Sequence, residues 1–398
     1  MKIAIFAETY FPDINGVATH IKVLKEGLEA LGHAVLVVTA SAKHKHHVLR
    51  DGVLYCPAIE LKKVYGFGLA SPVSAHRLKI IRAFRPDVIH MHQEFAIGLS
   101  AVAIARFLNV PLVYTLHTMY DEYVYYIAPK PFLNPAKKVF YQYAGFFARQ
   151  ATEITSPSDK ARPFFDKCRV HKNISVIPNA IELAEFDQSL SEPESVRKVK
   201  EKYKLPAVGS VAIFCGRLAE EKSIDVLFKN FQKHLDCEAL KLHLLIVGSG
   251  PAREELEALA KELDIRQHVT FTGRIEHEEV MAIYAACDLY VSASLSEMMS
   301  ISMLEGMAAG LPVIQRFDPQ NAGQIVEGVN GSNYKTGEEM AGKITEICQM
   351  TAEEKQQMKE RVRGSMSHSG PEDMANHLLQ VYENALKKRR KSRRIRLR

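Results

Sequence analysis

Apolar residues along this chain come in short runs that stop abruptly at polar ones. "KIAIFAE" is the first, and "AVLVVTA", "PDVIHMH", "PLVYTLHT", "EITSPS" and "ISVIPNA" follow up to residue 180. These runs are nearly continuous rather than alternating, and rich in β-branched residues. Strands with that pattern are buried on both faces, as in a parallel sheet. Between the first two runs the period lengthens. "THIKVLKEGLEALGH" repeats apolar residues every three or four positions and predicts a helix. Alternation of the two patterns predicts helical crossovers between parallel strands. The pattern restarts after residue 206 with "VGSVAIFCGRL", "LKLHLLIVGSG", the helix "PAREELEALAKELDI", then "VTFTGRI", "DLYVSAS" and "LPVIQRF". Residues 181–206 are polar, contain Pro193 and Pro206, and read as a linker. The expected fold class is α/β, with two Rossmann-like doubly wound domains at 1–180 and 207–375 facing a central cleft. Residues 376–398 are expected to form a C-terminal helix and a basic tail.

The length of 398 residues, 47% of them hydrophobic, exceeds what one domain usually holds and agrees with two. Charge sharpens the division. Residues 1–180 hold 22 Lys and Arg against 13 Asp and Glu, residues 207–386 hold 16 against 27, and "KKRRKSRRIRLR" at 387–398 holds nine cations and no acid. A basic first half and tail suggest an anionic partner. The six cysteines show no CxxC spacing and fit buried thiols in a reducing compartment. The first apolar run, Ile3 to Ala7, ends at Glu8 and is no signal peptide. No stretch approaches the ~20 apolar residues of a membrane span. The expectation is a cytoplasmic protein, soluble or peripheral on the inner face of the cell membrane.

In doubly wound sheets ligands bind beyond the carboxyl ends of the strands, so the polar strand ends carry the candidate chemistry. "NGVATH" follows the first strand, and Gly16 opens the next helix, whose free N–H groups favour an anion. It lacks a full GxGxxG, and no acid ends the second strand, which disfavours a nicotinamide-dependent enzyme. "CGRLAEEKSIDVLF" places Arg217 and Lys222 five residues apart after a strand. A guanidinium and an ammonium converging on one point suit a diphosphate, although charge alone favours a solvated helix start with Glu220 and Glu221 as local partners. In "SEMMSISMLEGMAAGLPVI", Glu297 and Glu305 are eight residues apart, with Glu297 expected in a loop and Glu305 inside a helix. Carboxylates in such apolar surroundings need hydrogen-bond donors, which sugar and ribose hydroxyls supply; helix-start carboxylates favoured by the dipole are the plainer account. His90, His92 and His117 end strands. Without further ligands at metal spacing they read as hydrogen-bonding groups rather than a metal site.

Taken in order, "NGVATH", "DVIHMH", "YTLHTMYDEY", "SPSDKARPFF", "VIPNAIEL", "CGRLAEEKSIDVLF", "LLIVGSGPAREELEALA", "VTFTGRI" and "SEMMSISMLEGMAAGLPVI" resemble the retaining glycosyltransferases of family 4, over about residues 1–380. Within that family "HTMYDEYVYYI" and "YGFGLASPVS" look most like bacterial diacylglycerol glucosyltransferases. The resemblance implies a GT-B fold, metal-independent chemistry and a nucleotide-sugar donor such as UDP-glucose, with no cofactor. It implies that Arg217 and Lys222 hold the donor diphosphate, Glu305 the ribose and Glu297 the sugar hydroxyls. Gly16 lies against the diphosphate, Arg274 and Ile275 offer backbone groups to the base, and His117 lies near the transferred sugar. Asp121 and Glu122 meet the acceptor. The family usually has glycine where this chain has Ser300, next to Ile301, and that departure leaves the donor sugar open.

A lipid acceptor requires a bilayer. "KKVFYQYAGFFARQ" interleaves Lys137, Lys138 and Arg149 with aromatic residues, and "AHRLKIIRAFR" contributes Arg77, Lys79, Arg82 and Arg85. Basic helices of this kind suit an anionic membrane surface, unless the aromatics are core and the cations a solvated face. The tail suits anionic lipid too; no specific nucleic-acid partner is expected. A phosphatidylinositol, polyprenyl-linked or soluble glycan acceptor, or a catalytically weak binding protein, are the competing readings.

Overall fold

The computed structural model describes residues 1–13, 15–61, 67–119, 121, 130–190, 193–275, 277–321 and 323–396. The chain divides into two compact units, one of Met1–Ala180 with Pro371–Arg398, the other of Ile181–Gly370.

The first unit holds β1 (Lys2–Ala7), β2 (Ala34–Ser41), β3 (Val48–Arg50), β4 (Val53–Leu61), β5 (Phe67–Ala70), β6 (Val88–Met91), β7 (Leu112–Thr115), β8 (Glu153–Ser156) and β9 (Ile174–Val176). They form one sheet in the order β3-β4-β2-β1-β6-β7-β8-β9, with β5 paired to β4. All neighbours from β4 to β9 along this path are parallel, whereas β3 and β5 join β4 antiparallel. The continuous apolar runs are the central strands. Every residue of β6 and β7 is buried, and in β1 all but Lys2. The antiparallel edge went unread in the sequence, although Asp51-Gly52 marks its hairpin. Both residues have positive φ, 50° and 73°, as a tight two-residue turn requires.

The helix Pro371–Arg396 belongs to this first unit and packs on the helix Gly16–Ala30. The contact needs a glycine: a Cβ on Gly27 would lie 2.2 Å from the Pro371 carbonyl oxygen. Met374, Ala375, Leu378, Val381, Tyr382 and Ala385 are buried with Ile3, Ile5, Val37 and Val113 in one core. Each large side chain so buried contributes about 1.5–3 kcal/mol, enough to anchor the last helix through its apolar stripe.

The second unit holds β10 (Ser210–Cys215), β11 (Leu242–Val247), β12 (Val269–Gly273), β13 (Leu289–Ser292), β14 (Val313–Arg316) and β15 (Gly331–Tyr334), in the order β12-β11-β10-β13-β14-β15. All neighbours are parallel. Separate apolar clusters cover the two faces. Residues 181–206, expected as a linker, carry the helices Leu183–Leu190 and Pro193–Lys202. Phe186, Val199 and Leu205 are buried in the core of the second unit. Their polar majority hides a thin apolar stripe that the composition of the segment does not reveal.

Both sheets are doubly wound. From β1 the chain builds outward through β2 and β4, then restarts at β6 on the other side; from β10 it builds through β11 and β12, then restarts at β13. The reversals lie between β1 and β6 and between β10 and β13, where such sheets take ligands. Among the described residues no helix is long and apolar enough to cross a membrane.

Candidate active site

At the reversal of the second sheet, β10 ends at Cys215 and the chain turns through Gly216 and Arg217 into a short 3-10 turn, Glu220–Lys222. Gly248, just past β11, fixes this turn. Its φ is 128°, and a Cβ there would lie 2.0 Å from the Gly216 carbonyl oxygen. A side chain would push the turn that carries Arg217 out of place. Burial lowers the Arg217 pKa from its ordinary value, and the nearby Glu221 opposes that.

Lys222 pairs across the reversal, with its Nζ 2.5 Å from Glu297 Oε1. Both side chains are largely covered, 13% and 22% exposed. The Glu221 carbonyl accepts from the Ser296 hydroxyl at 3.1 Å, binding the loop after β13 to the Lys222 turn. Glu297 lies in that loop, as expected, and its own carbonyl accepts from Asn321 Nδ2 at 3.1 Å.

Glu305 lies within the helix Ile301–Ala308, and Ser300 is its N-cap, accepting from the Met303 N–H. Ser300 has φ −73° and ψ 120°, a conformation any residue adopts. Serine therefore serves here as a helix cap. The Tyr284 hydroxyl donates to Glu305 Oε2 at 2.9 Å. The Tyr290 hydroxyl donates to the Cys215 carbonyl at 2.9 Å and meets Ser302 Oγ at 2.9 Å. Two buried tyrosines thus tie the Glu305 helix to the end of β10. Arg274 is exposed just beyond β12, with Ile275 half-buried beside it. The sequence reading missed Tyr284, Tyr290, Ser294 and Ser296, which position rather than present charge. Their signal is the run of serines and tyrosines through "IYAACDLYVSASLS".

In the first unit, Gly16 starts the helix that Asn15 caps by accepting from the Ala18 N–H at 3.0 Å. Four histidines converge at the carboxyl ends of β1, β6 and β7, with His90 inside β6. His92 Nδ1 lies 2.9 Å from His117 Nε2. His20 Nδ1 lies 2.9 Å from Asn179 Oδ1. His90 is held on both sides, by the Tyr382 hydroxyl at 2.7 Å and the Thr115 hydroxyl at 2.7 Å. Desolvation lowers the pKa of all four, His20 to about 4 and the others well below the usual imidazole range. They are neutral at pH 7 and serve as hydrogen-bonding groups or ligands.

The expected acceptor and membrane residues separate. Asp121 is buried; its Oδ2 accepts from the Tyr141 hydroxyl at 2.7 Å and pairs with Lys167 at 3.2 Å. Glu122 lies outside the described residues. Arg77 is corrected: it is 1% exposed, and its Nη2 donates to the Ser71 carbonyl at 2.6 Å. It shares the inner face of the helix Ala75–Phe84 with Ile81, one turn away. Lys79, Arg82 and Arg85 are exposed and, with Lys2, line an open pocket of about 880 Å³. On the helix Leu133–Gln150, Phe147 is buried, whereas Val139 and Phe146 are exposed beside exposed Lys138 and half-buried Lys137.

The geometry in the second unit is two cations and two braced carboxylates at a strand reversal. It suits a diphosphate carrying polyhydroxylated groups. Comparison with known proteins agrees. Residues 14–185 match the profile described as Glycosyltransferase Family 4, and residues 195–365 the one described as Glycosyl transferases group 1. The alpha-monoglucosyldiacylglycerol synthase of Streptococcus pneumoniae is 32% identical over 87% of this chain and 78% of its own length. That of Acholeplasma laidlawii is 31% identical over 88% of each. Anabaena HepE, solved with UDP and glucose, superposes with a TM-score of 0.71 over 96% of this chain and 98% of its own, at 19% identity. That likeness establishes the fold, GT-B.

Proposed function

This chain belongs to the family 4 glycosyltransferases, and we propose that it transfers glucose from UDP-glucose onto 1,2-diacylglycerol or a glucosyl-diacylglycerol at an anionic membrane surface. The observation that carries the reading is the Lys222–Glu297 pair at the reversal of the second sheet, on the turn that also carries Arg217. The relatives near one-third identity, named for glucosyl-diacylglycerol synthesis, supply the acceptor class.

Transfer breaks the bond between the sugar's anomeric carbon and the diphosphate oxygen. Charge grows on the leaving diphosphate while the sugar becomes oxocarbenium-like. Arg217 and Lys222 stabilise that growing charge from fixed positions, which is worth more than the same charges in water. No metal is needed for this, as for the group 1 glycosyltransferases the chain matches. Glu297 neutralises Lys222 in the pair described above. On binding, donor phosphate takes over that partnership, and Glu297 turns to the sugar hydroxyls. Glu305, oriented by Tyr284, accepts from the ribose hydroxyls. Arg274 and Ile275 offer backbone groups to the base. His117, neutral, accepts or donates one hydrogen bond at the transferred sugar. The step assigned is front-face attack with retention: the acceptor oxygen bonds the anomeric carbon as its proton passes to the departing phosphate.

The membrane side rests on exposed Lys79, Arg82 and Arg85 in the first unit, with Lys137, Lys138 and the C-terminal cations. Asp121 and Glu122 are assigned to the acceptor side. The test is product formation from labelled UDP-glucose with anionic vesicles containing diacylglycerol or glucosyl-diacylglycerol. A labelled glycolipid is expected. UDP binding with no lipid product on either acceptor would overturn the acceptor assignment.

A further inference from the structure

We propose that His20, His92 and His117 form a three-histidine site for a borderline divalent cation, zinc foremost, beyond the carboxyl ends of β1, β6 and β7. One ring nitrogen from each lies within 4.8 Å of those of the other two. The close pair, His92 Nδ1 and His117 Nε2, is 2.9 Å apart. Around tetrahedral zinc, with Zn–N near 2.0–2.1 Å, ligand nitrogens are about 3.4 Å apart. Small side-chain movements therefore close the site: the tight pair opens by about half an ångström and His20 moves in.

Three features separate this cluster from histidines that merely touch. His20 Nδ1 is engaged by the Asn179 carboxamide, which holds the ring in the tautomer whose Nε2 offers a lone pair. His20 Nε2 is buried without a hydrogen-bond partner among the described residues, so that ring is not fully used by the fold. His90, in contact with the same cluster, is excluded because Tyr382 and Thr115 take both of its nitrogens. The donor set is neutral imidazole without thiolate or carboxylate, which selects zinc, cobalt or copper over magnesium or calcium. Three histidines leave a fourth position open, and half-buried His117 provides the approach to it. Where the transfer reading of this enzyme holds, the bound cation takes His117 away from the sugar and inhibits.

The test uses the full-length protein and Co²⁺ as a coloured probe, with Zn²⁺ as competitor. The expected result is one Co²⁺ per chain, with visible ligand-field bands, no thiolate charge-transfer band, and displacement by one equivalent of Zn²⁺. His20→Gln and His92→Gln should each weaken binding at least tenfold. Asn179→Leu should weaken it about tenfold, the usual effect of losing a group that orients a ligand. His44→Gln and His46→Gln, on a separate loop, should leave it unchanged. Circular dichroism of each variant confirms folding, and Asn179→Leu keeps the test open if a core histidine variant does not fold. Absence of a one-equivalent site, or equal affinity in His20→Gln, His92→Gln and the parent, overturns the proposal. Zn²⁺ inhibition of glucosyl transfer is read separately, so failure of the transfer reading leaves the cobalt result standing.

Discussion

Glu8 ends the first apolar run, and the structure buries it at 3% exposure beyond β1. Its Oε1 accepts from the Ile97 N–H at 2.6 Å and the Gly98 N–H at 3.3 Å, at the start of the helix Ala96–Leu108. Burial outweighs those bonds and the Arg77 charge, and raises the pKa from 4.5 to about 8. The folded protein therefore holds a proton at neutral pH that the unfolded chain releases. Between pH 4.5 and 8 the native state binds one proton more, so stability falls as pH rises, by about 1.4 kcal/mol per unit. Below 4.5 both states are protonated and above 8 both are ionised, so the slope vanishes at each end. From pH 4.5 to 7 the loss is about 3 kcal/mol, and it reaches about 5 kcal/mol by pH 8. Glu8→Gln mimics the protonated acid, keeps an oxygen for Ile97 and Gly98, and cannot ionise. Its stability should equal the parent's near pH 4.5 and exceed it increasingly toward pH 8. Urea unfolding at half-unit pH intervals, read on the transition that the substitution shifts, measures the difference. Parallel pH profiles for the two proteins would refute a neutral Glu8.

Arg217→Ala and Lys222→Ala should each lower kcat by 10²–10³ with a modest change in KM, because the charge they stabilise develops in the transition state; steady-state transfer from labelled UDP-glucose decides it, and a loss under threefold for Arg217→Ala removes it from the machinery. Lys222→Ala combined with Glu297→Gln should lose less than the product of the two single losses, since the residues act as a pair. Gly248→Ala should destabilise the second unit by about 1–3 kcal/mol from the 2.0 Å approach to Gly216, with strain at φ 128° added; thermal unfolding reads the change. Lys79→Gln with Arg82→Gln should weaken binding to anionic vesicles roughly 30-fold, at about 1 kcal/mol per cation near the surface; a flotation assay with neutral vesicles is the control, on which the pair should have no effect.

What the sequence disclosed follows the range of the interaction involved. Strand interiors were legible because burial on both faces imposes a continuous apolar run, a local property. The antiparallel edge β3–β5 was not, because Pro57 and the polar residues around it break that run, and only the Asp51-Gly52 turn marks it. The basic helix near residue 80 shows how a residue list misleads where periodicity informs. Arg77, Lys79 and Arg82 look equivalent as charges, yet Arg77 lies four residues from buried Ile81 and so faces inward. Its guanidinium lies near enough to favour the ionised form of Glu8, an acid more than sixty residues earlier.

The candidate site divides the same way. Arg217, Lys222, Glu297 and Glu305 stood out because charge at a strand end is costly without a purpose. That Lys222 reaches Glu297, 75 residues on, follows from strand order. β13 returns to the side of β10, so the loop after β13 meets the Lys222 turn. The histidines follow the same rule in the first sheet: His20, His92 and His117 are scattered over about a hundred residues and meet because β1, β6 and β7 are neighbours. Sequence spacing argued against a metal at His90, His92 and His117. The strand order brings in His20 and leaves His90 held on both sides by Tyr382 and Thr115, and on this convergence the three-histidine site is proposed.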